Sequence, residues 1–429
     1  MLPNNFNGKT IMTFVFLFML LLTSATAQSN FLSNEVIVKL NNSADLPNVA
    51  AQYGLSPTPI EQFGNSPIYR LRVLNKVNVK QIVTNLRNDP NQRITYADPN
   101  FIVGTPNAST VSWSLGGSWS IGGSWSIGGS TKGSQVQWMR QRINLDSAHT
   151  ISRGQGVKIA VLDTGIDLSH PLFENRLLPG YDFVDGDTNP SEVGMIYEGA
   201  YGHGTHVAGI IAQVAPAAKI IPLRVLDSNG VGNVWLLAKA LAFAANPDGN
   251  NQTDDSADII NLSLGTTEPT SLITDLLNAE TRHDDAMEMH DFPHIENPGI
   301  LVIAAAGNTG DDTKIYPAAE DVEGLIAVGA STPTDTLADF STRGPWVKIL
   351  APGDKIVSSI PGGRYGIWRG TSMSAPIVTG IAALVQSKEP RMRTKNLADW
   401  LKYSAIPVNG NWQYRRADAL RAVISSPKF

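Results

Sequence analysis

The feature that most restricts this chain is a set of short, mostly apolar runs at residues 157–162, 219–226, 258–263, 300–305 and 325–330. None alternates as a strand with one wet face does, and such runs suit strands buried on both faces of a parallel sheet. Helix-like stretches lie among or beyond them, at 203–213, 234–245, 272–282 and 374–388. Strand–helix alternation from about Gln137 onward predicts an α/β domain, a doubly wound and mostly parallel sheet. In such sheets the site lies beyond the carboxyl ends of the strands. The residues that just follow each run are therefore where chemistry is to be sought.

Residues 28–104 read differently. Glu35-Val-Ile-Val-Lys-Leu40 and Ile68-Tyr-Arg-Leu-Arg-Val73 alternate as half-buried strands do, helix-like stretches fall near 45–53 and 77–88, and the segment ends in Ile94-Thr-Tyr-Ala-Asp-Pro-Asn100. This predicts a small α+β unit. A period-six repeat follows, Ser-Trp-Ser-Leu-Gly-Gly and then Ser-Trp-Ser-Ile-Gly-Gly twice, over 112–129. Its Gly-Gly pairs suit a flexible connector. The alternative is a binding stripe formed by Trp113, Trp119 and Trp125. At the N-terminus, Lys9 precedes an apolar run over 11–22 and then Ala25-Thr26-Ala27, the form of a signal-peptidase site. The run falls short of the roughly 20 residues a span needs. Export with Gln28 as the first mature residue is expected, an uncleaved anchor being the alternative. The expected divisions are 1–27 signal peptide, 28–108 first unit, 109–136 repeat linker and 137–429 main domain.

Composition narrows the chemistry. With no cysteine there is no thiol nucleophile and no Cys-based zinc site, and a net charge of −5 with no basic stripe argues against nucleic acid. Asp163 follows the first buried run in Val161-Leu-Asp-Thr-Gly-Ile-Asp167, His203 opens a helix in Gly202-His-Gly-Thr-His-Val-Ala-Gly209, and Ser372 stands in Gly370-Thr-Ser-Met-Ser-Ala-Pro376. A serine hydroxyl needs a base to take its proton, and the imidazole that does so needs a carboxylate to fix its tautomer. The order Asp, His, Ser is that of the subtilisin triad.

With these motifs, residues 137–420 resemble the subtilisin-like serine peptidases. The resemblance implies a serine endopeptidase with Asp163, His203 and Ser372 as triad. Asn308, in Ala304-Ala-Ala-Gly-Asn308, would donate to the oxyanion with the Ser372 N–H. It implies that Ser263-Leu264-Gly265 pairs with an extended peptide, that Val231-Gly232 forms the other wall, and that Ile315, before Tyr316-Pro317, lies at the base of the pocket for the side chain preceding the cut. Residues 28–108 resemble the family's inhibitory propeptide, with Ala97-Asp-Pro-Asn100 at its end. The expected partners are thus protein or peptide substrates and the chain's own propeptide, with no nucleic acid, no membrane after signal cleavage, and an extracellular location.

Departures from the family are also visible. The histidine helix runs almost directly into the next strand, leaving no loop for the family's tightly bound calcium. The acidic loop with Asp182, Asp185 and Asp187 is the expected site for a structural calcium, a solvated turn being the alternative. No cofactor is required for the chemistry. His206 lacks the i,i+4 partner and glutamate of a zinc motif and is expected to pack. Residues 282–298, with His283, His290 and His294, look like an inserted surface loop. Trp412-Gln-Tyr-Arg-Arg-Ala-Asp-Ala-Leu420 lacks the glycines usual in the family's closing motif.

Overall fold

The computed structural model describes residues 29–74, 77–105, 126–129, 133–134, 136–196, 198–249, 253, 255–281, 299–409 and 411–424. The signal segment, the insertion at 282–298 and the tryptophans of the repeat lie outside these residues.

The apolar runs become the strands Lys158–Asp163, Lys219–Arg224, Ile259–Leu262, Leu301–Ala305 and Leu325–Ser331. They pair in parallel within a nine-stranded sheet. Each face is covered, as continuous apolar runs require. Ile159 and Val161 pack against the helices His203–Val214 and Thr371–Lys388, whereas Ala160 and Leu162 pack against Val234–Ala245. Strand Lys158–Asp163 lies between Lys219–Arg224 and Ile259–Leu262. The chain first winds to one side of it and then crosses to the other. This is the switch point at which a doubly wound sheet opens its crevice, and Asp163 is the last residue of that strand.

The first unit forms strands Phe31–Leu40, Glu61–Gln62, Ile68–Arg72 and Ile94–Gly104, with helices Leu46–Tyr53 and Val79–Arg87 on its inner face. The last strand outruns the segment read from sequence. Its far end pairs antiparallel with Val231–Asn233 of the main domain, so one five-stranded sheet joins the two units. Polar contacts fix the joint at two helix starts, whose N–H groups lack partners within the helix. Asp98 accepts from the Ser271 N–H at 2.8 Å, and Asn100 Oδ1 accepts from the Trp235 N–H at 3.2 Å. Glu61 accepts from Trp235 Nε1 at 2.7 Å and from Lys239 Nζ at 2.5 Å.

The last residues of the repeat are paired. Ser126–Gly129 is a strand paired antiparallel with Arg364–Trp368, itself the partner of Ile356–Ile360. A Gly-rich segment has no period-2 apolar signal, but its backbone still pairs with the open edge of a hairpin.

Candidate active site

Asp163 and Ser372 are each 1% exposed and His203 is fully buried. Asp163 Oδ1 accepts from the Thr164 N–H at 2.8 Å and lies 2.6 Å from His203 Nδ1. An ionised carboxylate can only accept, so the neutral ring carries its proton on Nδ1 and keeps Nε2 as the basic nitrogen. Glycines let these elements meet. A Cβ on Gly204 would fall 2.1 Å from Gly165 O, so the histidine helix starts hard against the turn after Asp163. His206 stacks on Trp368, centroids 4.6 Å apart and planes 6° from parallel. Burial, then the neighbouring His203, pushes its imidazole down to about 3, so it stays neutral and packs, as expected.

Ser372 is the second residue of helix Thr371–Lys388, so its N–H belongs to the first turn, where such groups are free to bind an oxyanion. That turn is held by an exchange visible in the sequence. Pro376, four residues on, has no N–H to give Ser372 O. Ser263 Oγ donates there instead, at 3.1 Å, and the Ser372 hydroxyl donates to Ser263 O at 3.4 Å. Asn308 is oriented by Thr371, whose N–H and hydroxyl both donate to its Oδ1, at 2.8 and 3.0 Å. An N–H can only donate, so the acceptor must be the amide oxygen, which settles the amide's orientation. Its Nδ2 is directed over Gly370, where a Cβ would come within 3.1 Å. Thr371 was not singled out from the sequence, although it stands beside the nucleophile in the motif.

The cleft is occupied by the chain itself. Gly104 and Gly265 exchange backbone hydrogen bonds of 2.9 and 2.8 Å, Val103 faces Gly232, and the Thr105 N–H donates to Gly230 O at 3.1 Å. The end of the first unit is thus a strand laid between the two segments singled out as the walls. Leu264 turns its side chain into the core beside Phe101 and Val103, leaving its backbone at the cleft. Ile315 is 3% exposed. Its side chain lies between Gly265 and Gly307, where added Cβ atoms would stand 2.5 and 2.6 Å from it.

Residues 154–422 match the model of the subtilase family (Peptidase S8), and residues 22–100 match that of the fervidolysin N-terminal prodomain. The chain is 34% identical over 375 residues to the thermophilic serine proteinase of Bacillus sp. (strain AK1), covering 83% of this chain and 79% of that one. It is 34% identical to thermitase of Thermoactinomyces vulgaris over 303 residues, 68% of this chain and 96% of thermitase. Among solved structures, that of fervidolysin from Fervidobacterium pennivorans, described as a keratinolytic enzyme related to subtilisin, superposes with a TM-score of 0.70 at 22% identity. The match covers 94% of this chain and 62% of fervidolysin, and it is a likeness of fold. The chain belongs to the subtilase family. It is a subtilisin-like serine endopeptidase carrying an N-terminal prodomain.

The acidic loop proposed as a calcium site has partners within the chain. Asp182 and Asp185 both pair with Arg224, each at 2.5 Å, and Asp182 Oδ1 accepts from the N–H groups of Val184 and Asp185. Asp187 instead accepts from the Asn189 N–H. The guanidinium supplies the positive charge a cation would bring, and among the described residues no group of three or more His, Asp or Glu side chains could hold a metal ion. Residues 215–218 alone join the histidine helix to the next strand. Near the C-terminus, Arg416 pairs with Asp335 at 2.7 Å, and the Tyr414 hydroxyl accepts from the Gly344 N–H. These contacts hold the segment that lacks glycines.

Proposed function

We propose that the protein is an exported endopeptidase, synthesised as a precursor, that cuts itself free of its first unit and then hydrolyses peptide bonds through an acyl-enzyme. Ser372 Oγ attacks the scissile carbonyl carbon while His203 Nε2 takes its proton. Asp163 holds the ring in the required tautomer and stabilises the imidazolium. The carbonyl oxygen becomes an oxyanion facing Asn308 Nδ2 and the Ser372 N–H. Collapse breaks the C–N bond, and the departing amine takes the proton from His203. Water then attacks the ester, giving its proton to His203, and Ser372 leaves with that proton restored. Gln28 and export are supported by the leader pattern at 1–27.

What carries the reading is the pairing of Gly104 with Gly265. An antiparallel ladder advances in opposite senses on its two strands. A chain held in that register leads on from Thr105 toward Ser263, whose carbonyl accepts from the Ser372 hydroxyl. The first cut is expected beyond Thr105, so that the repeat would stay with the catalytic domain, where Ser126–Gly129 pairs with Arg364–Trp368. N-terminal sequencing of the purified precursor's first product tests this, with a terminus after Thr105 and before Ser126 expected. A terminus before residue 101 or after 129 sinks the register.

Ile315 sets the expected preference at the cut. A branched side chain filling the slot between two glycines leaves a shallow apolar pocket, which suits small or medium residues over Phe and Tyr. Ile315→Gly should raise kcat/KM for a peptide with Phe before the cut relative to Ala by about tens-fold, the range for filling or emptying a hydrophobic pocket. A parent that already favours Phe, or a glycine variant that gains nothing on it, removes Ile315 from the pocket.

A further inference from the structure

A second carboxyl group lies behind the catalytic pair, in a loop that carries no motif. The histidine helix, His203–Val214, has no side-chain cap of its own, because its N-cap residue is Gly202 at φ +88°. Glu192 supplies one from the preceding loop. Its Oε2 accepts from the Thr205 hydroxyl at 2.9 Å and from the Thr205 N–H at 3.3 Å. The Gly202 N–H and the Thr164 hydroxyl also favour its ionised form. Thr164 follows Asp163 and in turn accepts from the Gly204 N–H at 2.9 Å. The loop cannot back away, since a Cβ on Gly165 would sit 2.7 Å from Ser191 O, and the Glu192 N–H donates to Ile166 O at 3.1 Å. Glu192 thus bridges the turn that carries Asp163 and the turn that carries His203.

We propose that Glu192 is a positioning residue for the catalytic pair, holding the first turn of the histidine helix against the Asp163 turn and offsetting the positive helix end at which His203 must become an imidazolium. The inference rests on His203 as the base. A helix N-terminus disfavours a cation, and an anion there restores the balance. Glu192 also lines a cavity of about 300 Å³ with Asp167, Ser169, Tyr201 and Gly362. The charged and titratable groups around it and its neighbour Tyr201 are Asp163, Asp167, Glu198 and Arg364. Burial, with a lesser contribution from Asp163, pushes its carboxyl up to about 7.

Protonation of Glu192 then adds a second loss of rate on acidification to that from protonating the general base. The acid limb of kcat/KM in the parent should steepen toward two protons. In Glu192→Gln it should relax to one, with kcat at the alkaline plateau lower by about five- to thirty-fold and KM little changed. Glu192→Asp, which keeps a carboxylate, should recover the steeper limb. A purely structural glutamate would leave the slope untouched. Thermal unfolding reads the same group without activity. A carboxyl raised above its ordinary value costs stability when ionised, fully above about 7 and not at all below the ordinary carboxylate range. The Tm of the parent relative to Glu192→Gln should therefore fall as pH rises through that window. If His203 is not the base but Glu192 titrates as described, the Tm arm alone succeeds and the catalytic role is lost. A Tm difference independent of pH, or acid limbs of equal slope in parent and Gln variant, overturns the proposal. Should Glu192→Gln not fold, Thr205→Val, which removes the hydroxyl donor to the carboxylate, should move the acid limb to higher pH, and an unmoved limb counts against the role equally.

Discussion

Ser372→Ala is expected to yield a folded, full-length precursor in which the first unit stays joined, with peptide hydrolysis down by about 10⁶-fold. That is the order found for loss of the nucleophile in subtilisin, a relative. The fold should survive because little depends on the hydroxyl. It makes one long contact, 3.4 Å to Ser263 O, while the backbone carbonyl that Pro376 leaves without an N–H keeps its Ser263 Oγ donor. The uncut chain should also be inert for a second reason. Its cleft already holds residues 101–105 as a strand between Gly265 and Gly232. Supplying the active enzyme in trans should release the first unit from the variant, since only its own nucleophile is missing. Intact-mass measurement of the variant alone and after mixing decides this. Processing of Ser372→Ala in pure solution would assign the cut to another group.

Much of this arrangement was legible because two physical constraints print themselves on sequence. Strands buried on both faces are largely apolar, which pointed to the run 157–162 and a parallel sheet, and to Asp163 as the residue just after that run. Side chains held on tight turns need glycines close by, which is why Gly204, next to His203, and Gly370, two residues before Ser372, stand in recognisable motifs. What escaped lacks such an imprint. Arg224 lies within the run read over 219–226, and its pairing with Asp182 and Asp185 follows from strand adjacency, the neighbour Tyr181–Asp182 being only two residues long. The spacing of the aspartates is that of a cation loop, whereas their pairing with Arg224 depends on a side chain distant in sequence. Glu192 stands in a loop with no period, and its partner Thr205 was visible only as part of the histidine motif. The nucleophile helix begins at Thr371 rather than at the expected residue 374, because Pro376 suggests a later start unless Ser263 is known to satisfy the carbonyl it strands.

Asn308 should separate two jobs that a single deletion would confuse. Its Oδ1 holds the N–H and hydroxyl of Thr371, fixing the turn from which the Ser372 N–H projects, and its Nδ2 is the proposed donor for the developing oxyanion. Asn308→Leu removes both. Asn308→Asp keeps the acceptor for Thr371 but replaces the donor with an oxygen. If the donor is what matters, both variants should lose about 10²–10³ in kcat with KM nearly unchanged, the loss measured for this kind of donor in subtilisin. An interaction made only with the oxyanion stabilises the transition state and not the bound peptide, so the loss belongs in kcat. Stability should divide differently. Asn308→Leu leaves the buried Thr371 N–H and hydroxyl without their acceptor, at about 1–3 kcal/mol for an unsatisfied buried group. Asn308→Asp retains the acceptor and should unfold at a temperature nearer the parent's when the carboxyl is protonated. Thr371→Val, which keeps the N–H donor and the amide's orientation, should cost kcat far less than either. Full kcat in Asn308→Asp would take the amide out of the oxyanion site, leaving the Ser372 N–H and the helix end as its stabilisers.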